Sequence, residues 1–427
     1  MSFFIKLLIL FDDIIFYIFK SRIKCENVDV LFLQHQVNYN YKYKNKHYSS
    51  LVDSLVYELI ENKDYNLGFL NKPFMRLEAS DLYYPAISLN SVFLFESLSN
   101  FLIKKTFGIK CSQKIRALRR FKIWENIINK CSPKIIIAIQ PEPELCFVSK
   151  KNNIKIYDLQ HGVISKSHKW YGETLETYED SKLPTGILFW DRTSAENIEY
   201  WTKNRNIESV IIGHPWISRF LEDNPKDIII QDAIKEGAVL DNQKPKILVS
   251  LQWGLHLHYY KEKSFNKIMC QSLEDTIIKS DGKYQWLLRI HPVQLQGNEK
   301  NYTLRYLNEK FGNLSFVEWH NATYLPLPVL LSKVDLHITD MSTTVTEAAW
   351  FNIPSAMLNP LLKNGKQLEH LFVYEKQIGL AELVEQKETS ISAWVEQNIA
   401  RKQSLDKLGS KMNFGIISFS DFISKLL

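Results

Sequence analysis

VDLHITDMSTTVTEAAWFNIPSAML, residues 334–358, is the stretch whose reading decides the fold. Residues 334–338 form a short apolar run, bounded like a strand buried on both faces of a parallel sheet. The next six residues, Thr339-Asp340-Met341-Ser342-Thr343-Thr344, are mostly N-cap types and read as a turn that opens a helix. The helical segment 345–351 is closed by Asn352 and Pro354, and a new apolar run starts at Ser355. Strand, hydroxyl-rich turn and helix N-terminus in that order make an anion site. The free N–H groups of the first turn and the helix dipole point beyond the strand's carboxyl end. Ser342, Thr343 and Thr344 add hydroxyl donors for phosphate oxygens, and Glu347 can cap the turn or accept from a ribose hydroxyl.

Outward from this stretch the same alternation repeats. Residues 247–250, 284–290 and 314–317 read as strands, with helices at 265–279 and 302–311. An earlier series places strands at 28–33, 134–139, 154–158, 186–190 and 210–212, with helical patterns at 49–62, 92–107 and 113–130. Strands alternating with helices signal a parallel, doubly wound sheet, and 427 residues suit two such domains better than one core. Residues 217–244, polar and carrying Pro225 and Asn242, read as the linker. The tail has helical patterns at 389–399, 403–411 and 416–427.

Asp340-x-Ser342-Thr343, followed by Thr346-Glu347-Ala348 and by Ile353-Pro354, resembles the nucleotide-binding half of GT-B glycosyltransferases. The likeness is to bacterial surface-polymer enzymes: teichoic-acid glycerophosphotransferases, capsule transferases and polysialyltransferases. Their Arg-x-His-Pro element stands here as Arg289-Ile290-His291-Pro292, and Gln160-His161-Gly162 is similar to their amino-terminal His-Gly turn. The resemblance implies an α/β fold of two doubly wound Rossmann-like domains facing across a cleft, with C-terminal helices returning to the N-terminal domain. It divides the chain into an N-terminal amphipathic helix (1–24), an acceptor domain (25–220), a nucleotide-sugar donor domain (245–400) and C-terminal helices (401–427). It further implies a nucleotide-sugar donor as substrate, without a separate cofactor, and a glycan or lipid-linked glycan acceptor. A CMP-activated acidic sugar is favoured over a UDP-sugar. The alternatives are a CDP-glycerol or CDP-ribitol phosphotransferase, a nucleotide-sugar epimerase, and a non-enzymatic, membrane-attached assembly protein.

Composition narrows the classes. Hydrophobic residues make up 45% and charged residues 23%, a globular balance. The net charge of +6 is too diffuse for nucleic acid, although it suits a nucleotide donor or an anionic membrane. Cys25, Cys111, Cys131, Cys146 and Cys270 are widely spaced without a C-x-x-C pair, so neither zinc nor a disulfide framework is expected and a reducing cytoplasm fits. The opening MSFFIKLLILFDDIIFYIFK is apolar but interrupted by Lys6, Asp12 and Asp13, a poor match to a bilayer span or a signal peptide. As a helix it carries Lys6, Asp13 and Lys20 on one narrow stripe. Its wide apolar face then either lies in a membrane interface or docks on the protein.

In doubly wound sheets ligands bind outside the carboxyl ends of strands, where every polar cluster above falls. Arg289 and His291 are donors for phosphate, unless Arg289 pairs with a surface acid and His291 merely ends its strand. Gln252-Trp253-Gly254 follows the first strand of the second series. Gly254 permits close backbone approach, and Trp253 either stacks on a base or sugar or packs in the core. His256 and His258 read as loop residues without metal-ligating partners. His161 is the foremost general base, since a neutral imidazole can take a proton from an acceptor hydroxyl, with His168 as a helper or a surface residue. Glu142 and Glu144, in the Pro-braced loop after the second strand, are the rival bases. Retaining GT-B enzymes often carry two glutamates eight apart. Thr339 stands eight residues before Glu347 here, which favours inversion. No D-x-D cluster suggests a metal-bound diphosphate, so leaving-group charge is expected to fall on Arg289, the helix N-terminus and the hydroxyls.

Overall fold

Ile135-Ile136-Ile137-Ala138 is buried at every position, as a strand covered on both faces must be. It belongs to a series of Val30–Gln34 (β1), Tyr41–Tyr43 (β2), Lys46–Tyr48 (β3), Leu67–Asn71 (β4), Ile135–Ala138 (β5), Lys155–Leu159 (β6), Gly186–Phe189 (β7) and Glu208–Ile211 (β8). The computed structural model describes residues 2–19, 25–36, 39, 41–62, 64–75, 77–166, 168–222, 224–255, 268–405 and 417–427. His256, His258 and most of the helical pattern at 403–411 lie outside the described residues. The chain divides into two units, Met1–Ser218 with Phe414–Leu427, and Arg219–Asn413.

The first unit holds a six-stranded parallel sheet in the order β4-β1-β5-β6-β7-β8, and β2 and β3 form a separate antiparallel ribbon. The strand order reverses between β1 and β5. The second unit repeats the plan with Lys246–Ser250 (β9), Gln285–Arg289 (β10), Val317–Glu318 (β11), Leu336–Thr339 (β12), Ser355–Met357 (β13) and Ala381–Leu383 (β14). Its order is β11-β10-β9-β12-β13-β14, all parallel, with the reversal between β9 and β12. These are two Rossmann-like sheets, the architecture expected from the alternation of apolar runs and helical patterns.

Sequence patterning passes over β4, β14 and the ribbon. β4 is an edge strand with Gly68 at its second position and a mixed burial pattern, and β14 has three residues, too few to show a period. At the other end of the chain, the helix Phe419–Leu426 belongs to the first unit. Phe422 packs edge-on against Tyr157 of β6 at 5.0 Å, and the Ser420 N–H and Ser418 hydroxyl both donate to Glu58 at 2.9 Å. Residues 217–244 are largely helical, with Pro215–Glu222 and Ile228–Glu236 tied by a buried Arg219–Asp227 ion pair at 2.7 Å. Part of the polarity of that stretch is therefore internal.

The stretch Asn90–Cys131 is helical except at Gly108, whose φ of 80° and ψ of 171° break it into the two helices expected at 92–107 and 113–130. Ser112 donates to Asn100 at 2.8 Å, Arg116 pairs with Glu96 at 3.1 Å and Arg119 donates to Ser99 at 2.5 Å, so the two halves fold back as a hairpin. The first helix, Ser2–Phe19, docks on this hairpin. Leu8 joins Ile103 and Ile115 in a buried cluster, and Phe16 and Phe19 pack against the main core of the first unit. Asp12 forms a two-pronged ion pair with Arg119, both bonds at 2.6 Å and both side chains buried, and Asp13 accepts from Asn126 at 2.6 Å.

Candidate functional site

In the second unit the opening stretch folds as strand, turn and helix. β12 ends at Thr339, whose hydroxyl donates to the Ser250 carbonyl at 2.9 Å, and the helix runs Thr344–Trp350. Gln252 ties the switch point together. Its Oε1 accepts the Met341 N–H at 2.6 Å, and its carbonyl accepts from Gln294 Nε2 at 3.5 Å. The ends of β9 and β12 and the loop after β10 are joined through this one residue. Ser342 Oγ accepts the Thr344 N–H at 3.3 Å and lies 3.0 Å from the Thr344 hydroxyl, while Thr343 is exposed at the N-cap. Asp340 is buried, and its carbonyl accepts the Asn359 N–H at 3.3 Å.

Arg289, the last residue of β10, donates from Nη1 to the carbonyls of Ala322 and Leu325 at 2.7 and 2.8 Å. Among the described residues its Nε and Nη2 make no hydrogen bond, so one edge of the guanidinium is anchored and the other is available. Burial pulls Arg289 down to about 10, against the attraction of Glu347. Burial pushes Glu347 up to about 7, against the attraction of Arg289. The two elements quoted separately from the sequence thus act on each other. His291 Nδ1 accepts the Val293 N–H at 3.2 Å and its own N–H donates to Gln294 at 3.1 Å, a capping box that fixes the turn after β10. Burial lowers the His291 pKa and keeps the ring neutral. Trp253 is 37% exposed beside Gly254, whose φ is 80°, and so is not a core residue. His337, by contrast, is fully buried between Ser250 and Ser355, at 2.9 Å from each hydroxyl, and holds three strands together.

In the first unit, Gln160 is fully buried after β6. Its amide donates to the Gly162 carbonyl at 2.8 Å and to Ser194 at 3.0 Å, and accepts the Trp190 N–H at 2.8 Å. That network sets the His-Gly turn. His161 Nε2 lies 2.9 Å from the Gln140 amide nitrogen and Nδ1 lies 2.8 Å from the Tyr171 hydroxyl. The Tyr171 hydroxyl donates to the Leu159 carbonyl at 3.2 Å, which assigns the ring proton to Nδ1 and leaves Nε2 as the acceptor. Burial, with His168, His35 and Lys72 nearby, drops His161 to about 3 and holds it neutral. Gln140 adopts a left-handed φ of 52°, and its N–H donates to Asp158 at 2.9 Å. Trp170 Nε1 donates to the other Asp158 oxygen at 2.6 Å, and burial raises this carboxyl to about 7. Lys72 donates to the Gln140 carbonyl at 3.0 Å, its pKa lowered by burial.

The structure gathers His161 with His168 and Tyr171, the ring centroids of His161 and His168 being 6.1 Å apart. His168 caps a π-helical turn, Lys169–Thr174, by accepting the Trp170 and Tyr171 N–H groups. Glu142 is engaged elsewhere, with Arg120 at 2.8 Å and Trp124 Nε1 at 3.0 Å. Glu144 stands half-buried in the first turn of the helix Pro143–Lys151, its pKa raised by burial. Sequence reading passed over Lys72, Asp158, Trp170 and Tyr171. Asp158 carried a signal, an acid near the end of a strand that is buried at every position after Lys155; Lys72 follows the unread edge strand. Among the described residues no group of three His, Cys, Asp or Glu side chains is placed to hold a metal ion.

The sequence matches no protein-family profile and no curated protein. Its fold is shared with solved structures. The UDP-GlcNAc 2-epimerase from Methanocaldococcus jannaschii superposes with a TM-score of 0.56 at 13% identity, over 93% of this chain and 98% of that one. The UDP-GlcNAc 2-epimerase from Neisseria meningitidis bound to UDP-GlcNAc gives 0.53 at 12% identity, over 93% and 98%. The wall teichoic acid polymerase TagF gives 0.56 at 12% identity, over 99% and 92%. These likenesses establish a GT-B-like fold of two Rossmann-like units.

Proposed function

We propose that the chain is a glycosyltransferase moving a sugar from a nucleotide-activated donor to a growing bacterial surface glycan of capsule, lipopolysaccharide or teichoic-acid type. The observation that carries this reading is the placement of Arg289, with one guanidinium edge unbonded, at the end of β10 and of the Ser342–Thr344 turn and Glu347 after the end of β12, the two strands that flank β9 at the switch point of the second sheet. Arg289 offers its unbonded edge to a donor phosphate, the hydroxyl turn adds further donors, and Glu347 accepts from the ribose. As the glycosidic bond to the nucleotide breaks, negative charge grows on the leaving phosphate. Preorganised donors then stabilise the transition state more than the ground state. In the first unit Tyr171 holds the His161 ring at Nδ1, and Nε2, which accepts from the Gln140 amide, takes the acceptor hydroxyl's proton once that hydroxyl displaces the amide. A CMP-activated acidic sugar is the favoured donor and a UDP-sugar the next. The five free cysteines, four of them buried and Cys111 partly so, suit the cytoplasm.

Two readings of the same fold compete, a CDP-glycerol or CDP-ribitol phosphotransferase and a nucleotide-sugar 2-epimerase, the latter named by two of the solved structures that share the fold. Thermal shift against CMP, CDP, UDP and GDP ranks the bases, since a ligand at one hundred times its Kd adds ~2.7 kcal/mol. Mass spectrometry of products then separates sugar transfer from phosphoglycerol transfer and from epimerisation without acceptor.

Arg289→Ala is expected to weaken binding of the best nucleotide by ~1.5–3 kcal/mol, the worth of a charge-assisted hydrogen bond, and by more than Ser342→Ala or Thr343→Ala. Calorimetric titration measures it. Unchanged affinity for every nucleotide in a folded variant would remove Arg289 from the donor site.

A further inference from the structure

The helix Ser2–Phe19 turns its two acids inward and presents several large apolar residues outward. Asp12 and Asp13 face the hairpin, as described, whereas Leu10, Ile14, Tyr17 and Ile18 project from the opposite side, Tyr17 being 67% exposed. The hairpin continues this surface. Leu98, Phe101 and Leu102 are exposed on its first arm, Leu102 at 62%, and Phe107 and Ile109 flank the Gly108 turn at 58% each. Phe4 meets Phe107 at 6.1 Å and Phe11 meets Phe95 at 5.9 Å, which joins the two apolar faces along one edge. A surface this apolar on a water-facing protein marks an interaction site.

The charge around it identifies the occupant. From Ser97 to Trp124 the chain has eight basic residues and no acid. Arg116, Arg119 and Arg120 are neutralised by Glu96, Asp12 and Glu142. Lys104, Lys105, Lys110 and Lys114, around the Gly108 turn, have no carboxylate partner among the described residues, and Lys105 lies over the Phe101 ring at 4.5 Å. Lys6 on the first helix is also without one. Aliphatic and aromatic side chains ringed by lysines complement the headgroup–acyl boundary of an anionic bilayer, where the lysine stems lie along apolar surface and the ammonium groups reach lipid phosphates. No described helix is long and apolar enough to cross a membrane, so the contact is one of lying on the surface. We propose that the outer face of Ser2–Phe19 together with the tip of the Asn90–Cys131 hairpin is a docking surface for an anionic lipid bilayer. It stands apart from the catalytic reading, and its test uses no activity.

The experiment is co-sedimentation of the full chain with vesicles of phosphatidylglycerol and phosphatidylcholine in equal parts, and with phosphatidylcholine alone. The expected result is binding to the anionic vesicles that weakens with salt. Phe107→Glu with Ile109→Glu should reduce partitioning at least tenfold, and Lys104→Glu with Lys105→Glu should do likewise at roughly fivefold per lysine. Ile228→Glu, at an exposed apolar position in the other unit, should leave binding unchanged. All four hairpin positions face solvent or carry charge, so unfolding transitions matching wild type are expected and serve as the control. Wild-type protein that ignores anionic vesicles, or hairpin variants that bind like wild type, would overturn the proposal. So would a dimer, seen by light scattering, that the Phe107→Glu/Ile109→Glu protein splits without any vesicle binding; the surface would then belong to a second copy of the chain.

Discussion

His161→Ala is expected to lower kcat by ~10²–10⁴-fold while the affinity for donor nucleotide stays close to wild type, because a general base acts on a proton that moves only in the transition state. His161→Asn should not recover the loss, since an amide cannot accept the proton. The tertiary setting adds a condition. Burial and the neighbouring His168, His35 and Lys72 hold the free imidazole at about 3, too acidic to act as a base at neutral pH by itself. Negative charge on a substrate bound beside the ring raises it towards the working range. The kcat/KM profile of the free enzyme should therefore show no limb near 6.5 from this group. If Glu144→Gln abolishes turnover while His161→Ala stays within a few-fold of wild type, the base is the half-buried carboxylate instead. Stability carries the same signature. His161, and likewise His214 and His337 at about 3, stay neutral in the fold while the unfolded chain protonates near 6.5. Their contribution is thus full above pH 6.5 and is lost as pH falls towards 3. Asp158 and Glu347, raised to about 7, act in the opposite sense between pH 7 and the ordinary carboxylate range.

Asp12→Ala is expected to lower the unfolding free energy of the first unit by ~3–5 kcal/mol, read as a shift of its urea transition. The change leaves the Arg119 guanidinium buried, with Ser99 and a weak contact to the Glu96 carbonyl as its acceptors among the described residues. Burial raises the Asp12 pKa in spite of the pull of Arg119, so desolvation outweighs the attraction between the two charges. It follows that Asp12→Leu combined with Arg119→Met should recover most of the loss, and a non-additive double variant would measure it. A fall of less than about 1 kcal/mol for Asp12→Ala would mean that the first helix is not docked through this pair.

The two parallel sheets were legible because a buried strand is a contiguous apolar run and a helix a contiguous period, and both survive in the order of the residues. Residues 334–358 show this best: strand, turn, helix and next strand stand in the fold where their chemistry places them, and Gly108 parts two helices that the pattern had already separated. Short or edge elements such as β4 and β14 carry too few residues for a period. Of the polar residues, Arg289, Glu347 and Ser342 could be named singly; that Arg289 and Glu347 act on one another depends on β10 and β12 flanking β9. Likewise His161 was visible as a histidine after a strand. Its tautomer and its lowered pKa come from Gln140, Tyr171, His168 and Lys72, the last of them 89 residues away. The first helix makes the same division plain. Its amphipathic character belonged to the sequence, but Asp12 finds Arg119 107 residues later, and that pairing decides which face is buried. Period and polarity are local properties that the chain carries in itself. Burial, partner and protonation state are set by residues distant in sequence, and only folding brings them within reach.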